Sequence, residues 1–299
     1  MPNVVLRKMK NPSSFRRIAA SAWPLPKDST IYGSLDIRAQ PLVDWLAAES
    51  ERLGTKLTVT HAVARAVALT LRKHPDLNGL IRFGGIYLRK DVDLFLQVAI
   101  PAEDGSTGKT DLSGVKLRKA DTLSCEGIAT ELRARAAKIR ANQDADLKRT
   151  KGMLSVIPSI LLRPVMLLID FLSYGLNINL KWAGIAKDTF GSAMVTSVGM
   201  FGITTGYAPI FPLAHCPILI MIGALEEKAK VRDGEVVVEL TLNMSGSFDH
   251  RMVDGFHAGK FAGHIKKLLE EPERLAGPEP GPEPGTKSDP DASRFDDDP

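Results

Sequence analysis

The stretch "EVVVELTLNMSGSFDHRMVDG", residues 235–255, decides the fold class. Its first half is rich in β-branched and apolar residues, and Asp233-Gly234 just before it supplies a two-residue hairpin turn from "ALEEKAKV", the expected partner strand. As the strand runs out, His250 stands between Asp249 and Arg251, and Asp254-Gly255 follows four and five positions on. Then positions 258, 261, 262, 265, 268 and 269 repeat with a helical period as far as Glu270, with Pro272 just beyond. A long hairpin that turns straight into an amphipathic helix speaks for an α/β layer packing.

Working outward, "STIYGSLDI" (29–37) reads as a strand. Leu42, Trp45, Leu46 and Leu53 share one face of a helix over 41–53 that Gly54 can cap, and a second helix over Thr60 to His74 is stopped by Pro75. "IRFGGIYLRKDVDLFLQVAI" (81–100) holds two strand-like runs about a Gly84-Gly85 turn. Upstream, 13–22 reads as a short basic helix or turn, broken by "WPLPK". Hairpins outnumber β-α-β units, so the expected sheet is mixed and mostly antiparallel, under a layer of helices.

The 299 residues allow one large domain or two small ones. We expect a single domain over 1–276 and a disordered tail over 277–299, whose Pro/Gly-rich sequence holds seven acidic and two basic residues. The net charge of +4 therefore leaves +9 on the body, which suits an anionic ligand and equally a solvated surface. Cys125 and Cys216 lack metal or disulfide spacing, and no signal peptide opens the chain, so a cytoplasmic setting is expected. Residues 152–185 form an apolar insert, here bounded at 150–187, interrupted by Pro158, Arg163, Pro164 and Asp170. Its longest uncharged run, 152–162, falls short of the roughly 20 residues a membrane span needs. Three readings stay open for it: a helical insert packed on the protein, a lid over an apolar ligand, or an interfacial membrane contact.

A histidine with an ordinary pKa near 6.5 suits proton abstraction at neutral pH, and a loop between a strand and a helix is a place where such a group is held. His257 and His264 are near enough in sequence to suggest metal, but they fall seven apart in the predicted helix and no cysteine joins them, so no metal site is expected. "DHRMVDGFHAGKF" (249–261) resembles the signature of the dihydrolipoamide acyltransferases, the core subunits of 2-oxo acid dehydrogenase complexes. "FGSAMVTSVGMFG" (190–202) is similar to a second family block, and "VTHAVARAVALTLRKHPDLNGLI" and "HIKKLLEEPERL" fall in the family's order. The likeness covers most of residues 13–275.

This resemblance implies a chloramphenicol acetyltransferase-like two-layer fold and acyl transfer between coenzyme A and an acceptor. His250 is the implied general base. In the family a serine hydroxyl stabilises the oxyanion, and the gapless register lays Thr196 on it, with Ser197 as the alternative one residue away. On a strand the two face opposite ways, so only one can serve. Asp254 joins the catalytic set as a residue that holds the histidine loop through a basic partner, Arg17 or Arg16, and not as a proton acceptor. Gly255 is expected to permit a tight exit into the helix. The resemblance also implies a homotrimer in which the histidine of one subunit faces the hydroxyl of its neighbour.

The sequence departs from the family between 101 and 119, where the family's apolar channel segment gives way to "STGKTDLSGVKLRKAD". There Lys109, Lys116, Arg118 and Lys119 are candidates to meet coenzyme A phosphates. No lipoyl domain is legible before residue 13, so a lipoyl group is expected only on a separate protein. The competing readings are a free-standing coenzyme A-dependent acyltransferase, a subunit acting on a lipoyl-bearing partner, and a catalytically silent trimeric scaffold or membrane-associated interaction protein. Nucleic acid is not an expected partner, since no basic motif interleaved with aromatic residues occurs.

Overall fold

The computed structural model describes residues 2–10, 29–100, 111–140 and 158–276. The expected helix over 13–22, Arg16, Arg17, Lys109 and the acidic tail lie outside the described residues. The strands are β1 (Leu6–Lys8), β2 (Thr30–Arg38), β3 (Gly79–Arg82), β4 (Gly85–Arg89), β5 (Leu94–Ile100), β6 (Asp111–Leu117), β7 (Ala193–Ser197), β8 (Ile218–Arg232) and β9 (Glu235–Asp249). The helices are α1 (Gln40–Leu53), α2 (Val59–Lys73), α3 (Cys125–Arg140), α4 (Ser159–Asp170) and α5 (Gly255–Glu270).

A six-stranded sheet runs in the order β2-β9-β8-β7-β5-β6, and a small antiparallel sheet in the order β1-β4-β3. In the large sheet β7 lies parallel to β5 and to β8, and the other pairings are antiparallel. This is the mixed, mostly antiparallel sheet under helices that the hairpin signals imply. The β8–β9 hairpin turns at Asp233 and Gly234, both with positive φ, the left-handed pair that a two-residue turn requires. The β3–β4 hairpin differs from expectation by one residue. Its central pair is Phe83 and Gly84, because Arg82 pairs with Gly85 and Gly85 opens β4. Register puts Ile81 opposite Ile86, and Phe83 pays for that pairing with a positive φ of 47°.

Helix signals translate directly. Gly54 caps α1 in the left-handed conformation at φ 60°. At the start of α2, the Thr58 backbone N–H donates to His61 Nδ1 at 3.2 Å, half of a reciprocal capping box. Every residue of α2 from His61 to Leu71 is buried, so this helix is the centre of the helical layer, packed against α3 and α5. One sheet face, with Leu94, Leu96, Val195, Ile218, Ile220 and Phe248, meets these helices in the main core. The opposite face carries a smaller cluster of Met194, Leu219 and Met221, with Phe95 and Phe190 packed on it.

The described part of the apolar insert is helical. After α4 the backbone passes through one π-turn, Phe171–Gly175, and Leu176 N–H donates to Phe171 O at 2.8 Å. No helix among the described residues is long and apolar enough to cross a membrane.

Candidate active site

His250 follows directly on β9. Its backbone N–H donates to Ser29 O at 2.9 Å, and its ring Nδ1 lies 3.0 Å from Val253 O. A carbonyl only accepts, so Nδ1 carries the proton and, in the neutral ring, Nε2 carries the lone pair. That is the tautomer a general base needs. The loop around it is tightly laced. Asp249 O accepts from the N–H groups of Met252 and Val253, both at 2.9 Å, and the Asp249 carboxylate takes Arg251 Nη2 at 2.7 Å and Ser29 Oγ at 3.0 Å. Met252 and Val253 are buried in the main core and anchor the loop from below.

Asp254 caps α5. Its carboxylate accepts from the His257 backbone N–H at 2.9 Å and pairs with His257 Nδ1 at 2.5 Å, while His257 Nε2 lies 3.3 Å from Asp76. Asp254 thus sits in a structural role, with His257 as a basic neighbour that sequence reasoning did not pick. Gly255 does not meet the expected steric demand. It begins α5 without a positive φ, and an added Cβ would meet nothing within 4 Å in the chain.

Thr196 and Ser197 end β7. Val195 faces the main core and Met194 the opposite cluster, so Thr196 points to the sheet face away from the helices and Ser197 toward them. Among the described residues neither hydroxyl is tied to a backbone group by a hydrogen bond. The chain then turns sharply against β8. A Cβ at Gly199 would lie 2.6 Å from Gly223 O, and one at Gly223 only 1.9 Å from Thr204 O, so both glycines are sterically required.

The register separates base and hydroxyl. Thr196 pairs with Met221 and Met221 with Ser245, whereas His250 lies beyond the Asp249 end of β9. Two strand spacings and five residues along the strand set their Cα atoms roughly 19 Å apart. No rotamer closes that gap to hydrogen-bond distance, so the two residues of one chain cannot act on one carbonyl.

The cationic candidates divide. Lys116 Nζ lies 2.9 Å from Asp93 Oδ2, 3.2 Å from Asp188 Oδ2 and 2.5 Å from Asp188 O. Its three donors are thereby spent, which corrects the expectation that it meets a phosphate. Arg118 and Lys119 are exposed on the rim of a cleft of about 480 Å³ that Lys90, Lys187 and Asp188 also line. At its base Arg89 Nη1 meets Asp188 Oδ2 at 2.5 Å and Arg89 Nη2 donates to His215 O at 3.2 Å. Burial would raise the Asp188 carboxyl, but Arg89 and Lys116 outweigh it and hold its pKa down at about 2. Tyr174 donates to Asp188 Oδ1 at 3.2 Å and stacks on His215, whose Nε2 pairs with Asp170. Because Asp249 N–H donates to Pro217 O at 2.9 Å, the segment 215–217 joins this network to the His250 loop.

The fold is that of known acyltransferase cores. A probable dihydrolipoamide acetyltransferase from Listeria monocytogenes superposes with a TM-score of 0.58 at 20% identity, covering 89% of this chain and 95% of that one. The dihydrolipoamide acetyltransferase of Azotobacter vinelandii also gives 0.58, at 21% identity over 82% of this chain and 83% of that one. The chain belongs to the family described as 2-oxoacid dehydrogenases acyltransferase (catalytic domain), whose model matches residues 21–157 and 186–276. Among relatives, the dihydrolipoyllysine-residue acetyltransferase component of the Staphylococcus epidermidis pyruvate dehydrogenase complex is 44% identical over 232 residues, 77% of this chain and 42% of that protein. The corresponding Zymomonas mobilis component is 25% identical over 260 residues, 86% of this chain and 47% of that protein. The chain thus spans under half the length of these relatives.

Proposed function

We propose that the protein transfers an acyl group between coenzyme A and a dihydrolipoyl-type thiol, in sites built between copies of the chain. The observation that carries this reading is the His250 ring, held by Val253 O in the tautomer of a base. His250 Nε2 takes the proton of the attacking thiol, which is mostly protonated at neutral pH. The sulfur bonds to the thioester carbonyl carbon, and the carbonyl oxygen gains the negative charge. Thr196 of a neighbouring copy donates its hydroxyl to that oxyanion. As the intermediate collapses, the carbon–sulfur bond to the leaving thiolate breaks and the histidine returns its proton to that sulfur.

Because base and hydroxyl of one chain are so far apart, a closed ring of copies is the simplest assembly that completes every site, and we assign a homotrimer. The mechanism of the Azotobacter vinelandii enzyme was investigated at a serine, a histidine and an asparagine, the last two four positions apart. His250 and Asp254 have the same spacing, which supports Asp254 as a positioning residue. Arg118 and Lys119 bring positive charge for coenzyme A phosphates, and the lipoyl group comes from a separate domain or protein. The test is to incubate the chain with acyl-coenzyme A thioesters of increasing length, with and without dihydrolipoamide, and to follow released coenzyme A by chromatography. Dihydrolipoamide-dependent release is expected, and binding without turnover for every acyl chain would overturn the reading.

A further inference from the structure

The segment that the family model passes over, 158–185, is the part of the chain whose surface is least like that of a soluble domain. It is firmly docked on one side. Asp170 pairs with His215, Tyr174 stacks on His215 at 4.0 Å, and Asn3 Nδ2 donates to Ser173 O at 3.1 Å. Arg82 Nε donates to Gly175 O at 2.6 Å, and Phe83 meets Phe171 edge-on at 6.4 Å. The docking fixes which side of α4 faces outward, and that side is apolar.

Ile160, Leu161, Pro164, Leu167, Leu168 and Phe171 lie on one helical arc and are all exposed, Ile160 at 84% and Leu168 at 56%. Trp182 extends the patch at 82% exposure. A helix that is apolar on its buried side and on its outward side is the pattern of a chain with an apolar medium on both. With 12 residues, α4 is roughly 18 Å long, too short to cross a bilayer and suited to lying in its surface.

The charges choose the occupant. Exposed Arg163 and Lys181 flank the patch, and Asp170, the one acidic residue in 158–187, is already paired with His215. A second copy seated face to face would bring arginine and lysine toward their like, with no carboxylate to answer them. A lipid phosphate answers them, and an exposed tryptophan beside a lysine is the usual anchor at a membrane–water interface. We propose that the outward face of α4, with Trp182, seats this domain on an anionic lipid surface, the helix lying flat while Arg163 and Lys181 reach the phosphates.

The test is flotation of the full chain with vesicles of equal parts phosphatidylglycerol and phosphatidylcholine, against phosphatidylcholine alone, at low and high salt. The wild type is expected to float with the anionic vesicles and much less with the zwitterionic ones, and to be released by salt. Ile160→Ser combined with Trp182→Ser should lower the bound fraction at least tenfold, with circular dichroism and acyl transfer unchanged, and Arg163→Glu with Lys181→Glu should also lower it. Failure of the wild type to float, or equal flotation of the Ser pair, overturns the proposal. So does a fall in oligomeric mass of the Ser pair without vesicles, which would make this face a contact between copies.

Discussion

Replacing Asp188 by asparagine probes the network that ties the apolar segment to the sheet. Asp188 is buried and holds Arg89, itself buried, together with Lys116 and Tyr174. Lys116 keeps Asp93 when Asp188 loses its charge, whereas the buried Arg89 guanidinium keeps only a neutral amide and the His215 carbonyl. Lowering a carboxyl from 3.8 to about 2 corresponds to roughly 2.5 kcal/mol of stability. Stranding the arginine raises the expected loss to about 3–5 kcal/mol. The assay is urea unfolding at neutral pH, read by fluorescence and circular dichroism. Because the folded-state pKa lies below the unfolded one, the unfolded chain binds more protons between them. The contribution is complete above about 4 and vanishes as pH falls toward 2, so the gap between wild type and Asp188→Asn should narrow over that window. A loss under about 1 kcal/mol at neutral pH would refute the account of this network.

Thr196→Ala should lower kcat by about 10²–10³ while Ser197→Ala changes it less than about threefold, as steady-state kinetics would show; the reverse order would move the oxyanion donor to Ser197. His61 is buried in α2, and that burial, helped by Arg133, brings its pKa from 6.5 down to about 4. It folds neutral, so its contribution is intact above 6.5 and is lost as pH falls toward 4, by up to about 3 kcal/mol. Urea midpoints at both pH values should show that part of the fall in the wild type and not in His61→Gln.

What the sequence made legible was local. The Asp233-Gly234 turn, the Gly54 cap and the period of α5 each depend on neighbours within a few positions, and each formed where expected. The loop bearing His250 is equally local, since its lacing joins Asp249 to residues up to Val253. The β3–β4 turn shifted because cross-strand register, which no dipeptide encodes, placed Phe83 at the corner. The roles of Lys116 and Asp188 were hidden because their partners are distant in the chain: Arg89 and Asp188 are 99 positions apart, and Lys116 and Asp188 72. The exposure of α4 was also illegible, since an apolar run reads the same whether it is buried or faces outward.

The claim that each site is shared between copies is tested most directly by co-expressing His250→Ala and Thr196→Ala chains in equal amounts. Each alone should be nearly inactive. In a cyclic assembly with random mixing, one interface in four joins an intact His250 to an intact Thr196, so roughly a quarter of wild-type activity should return. Mixed assemblies that form normally and regain nothing would contradict the account.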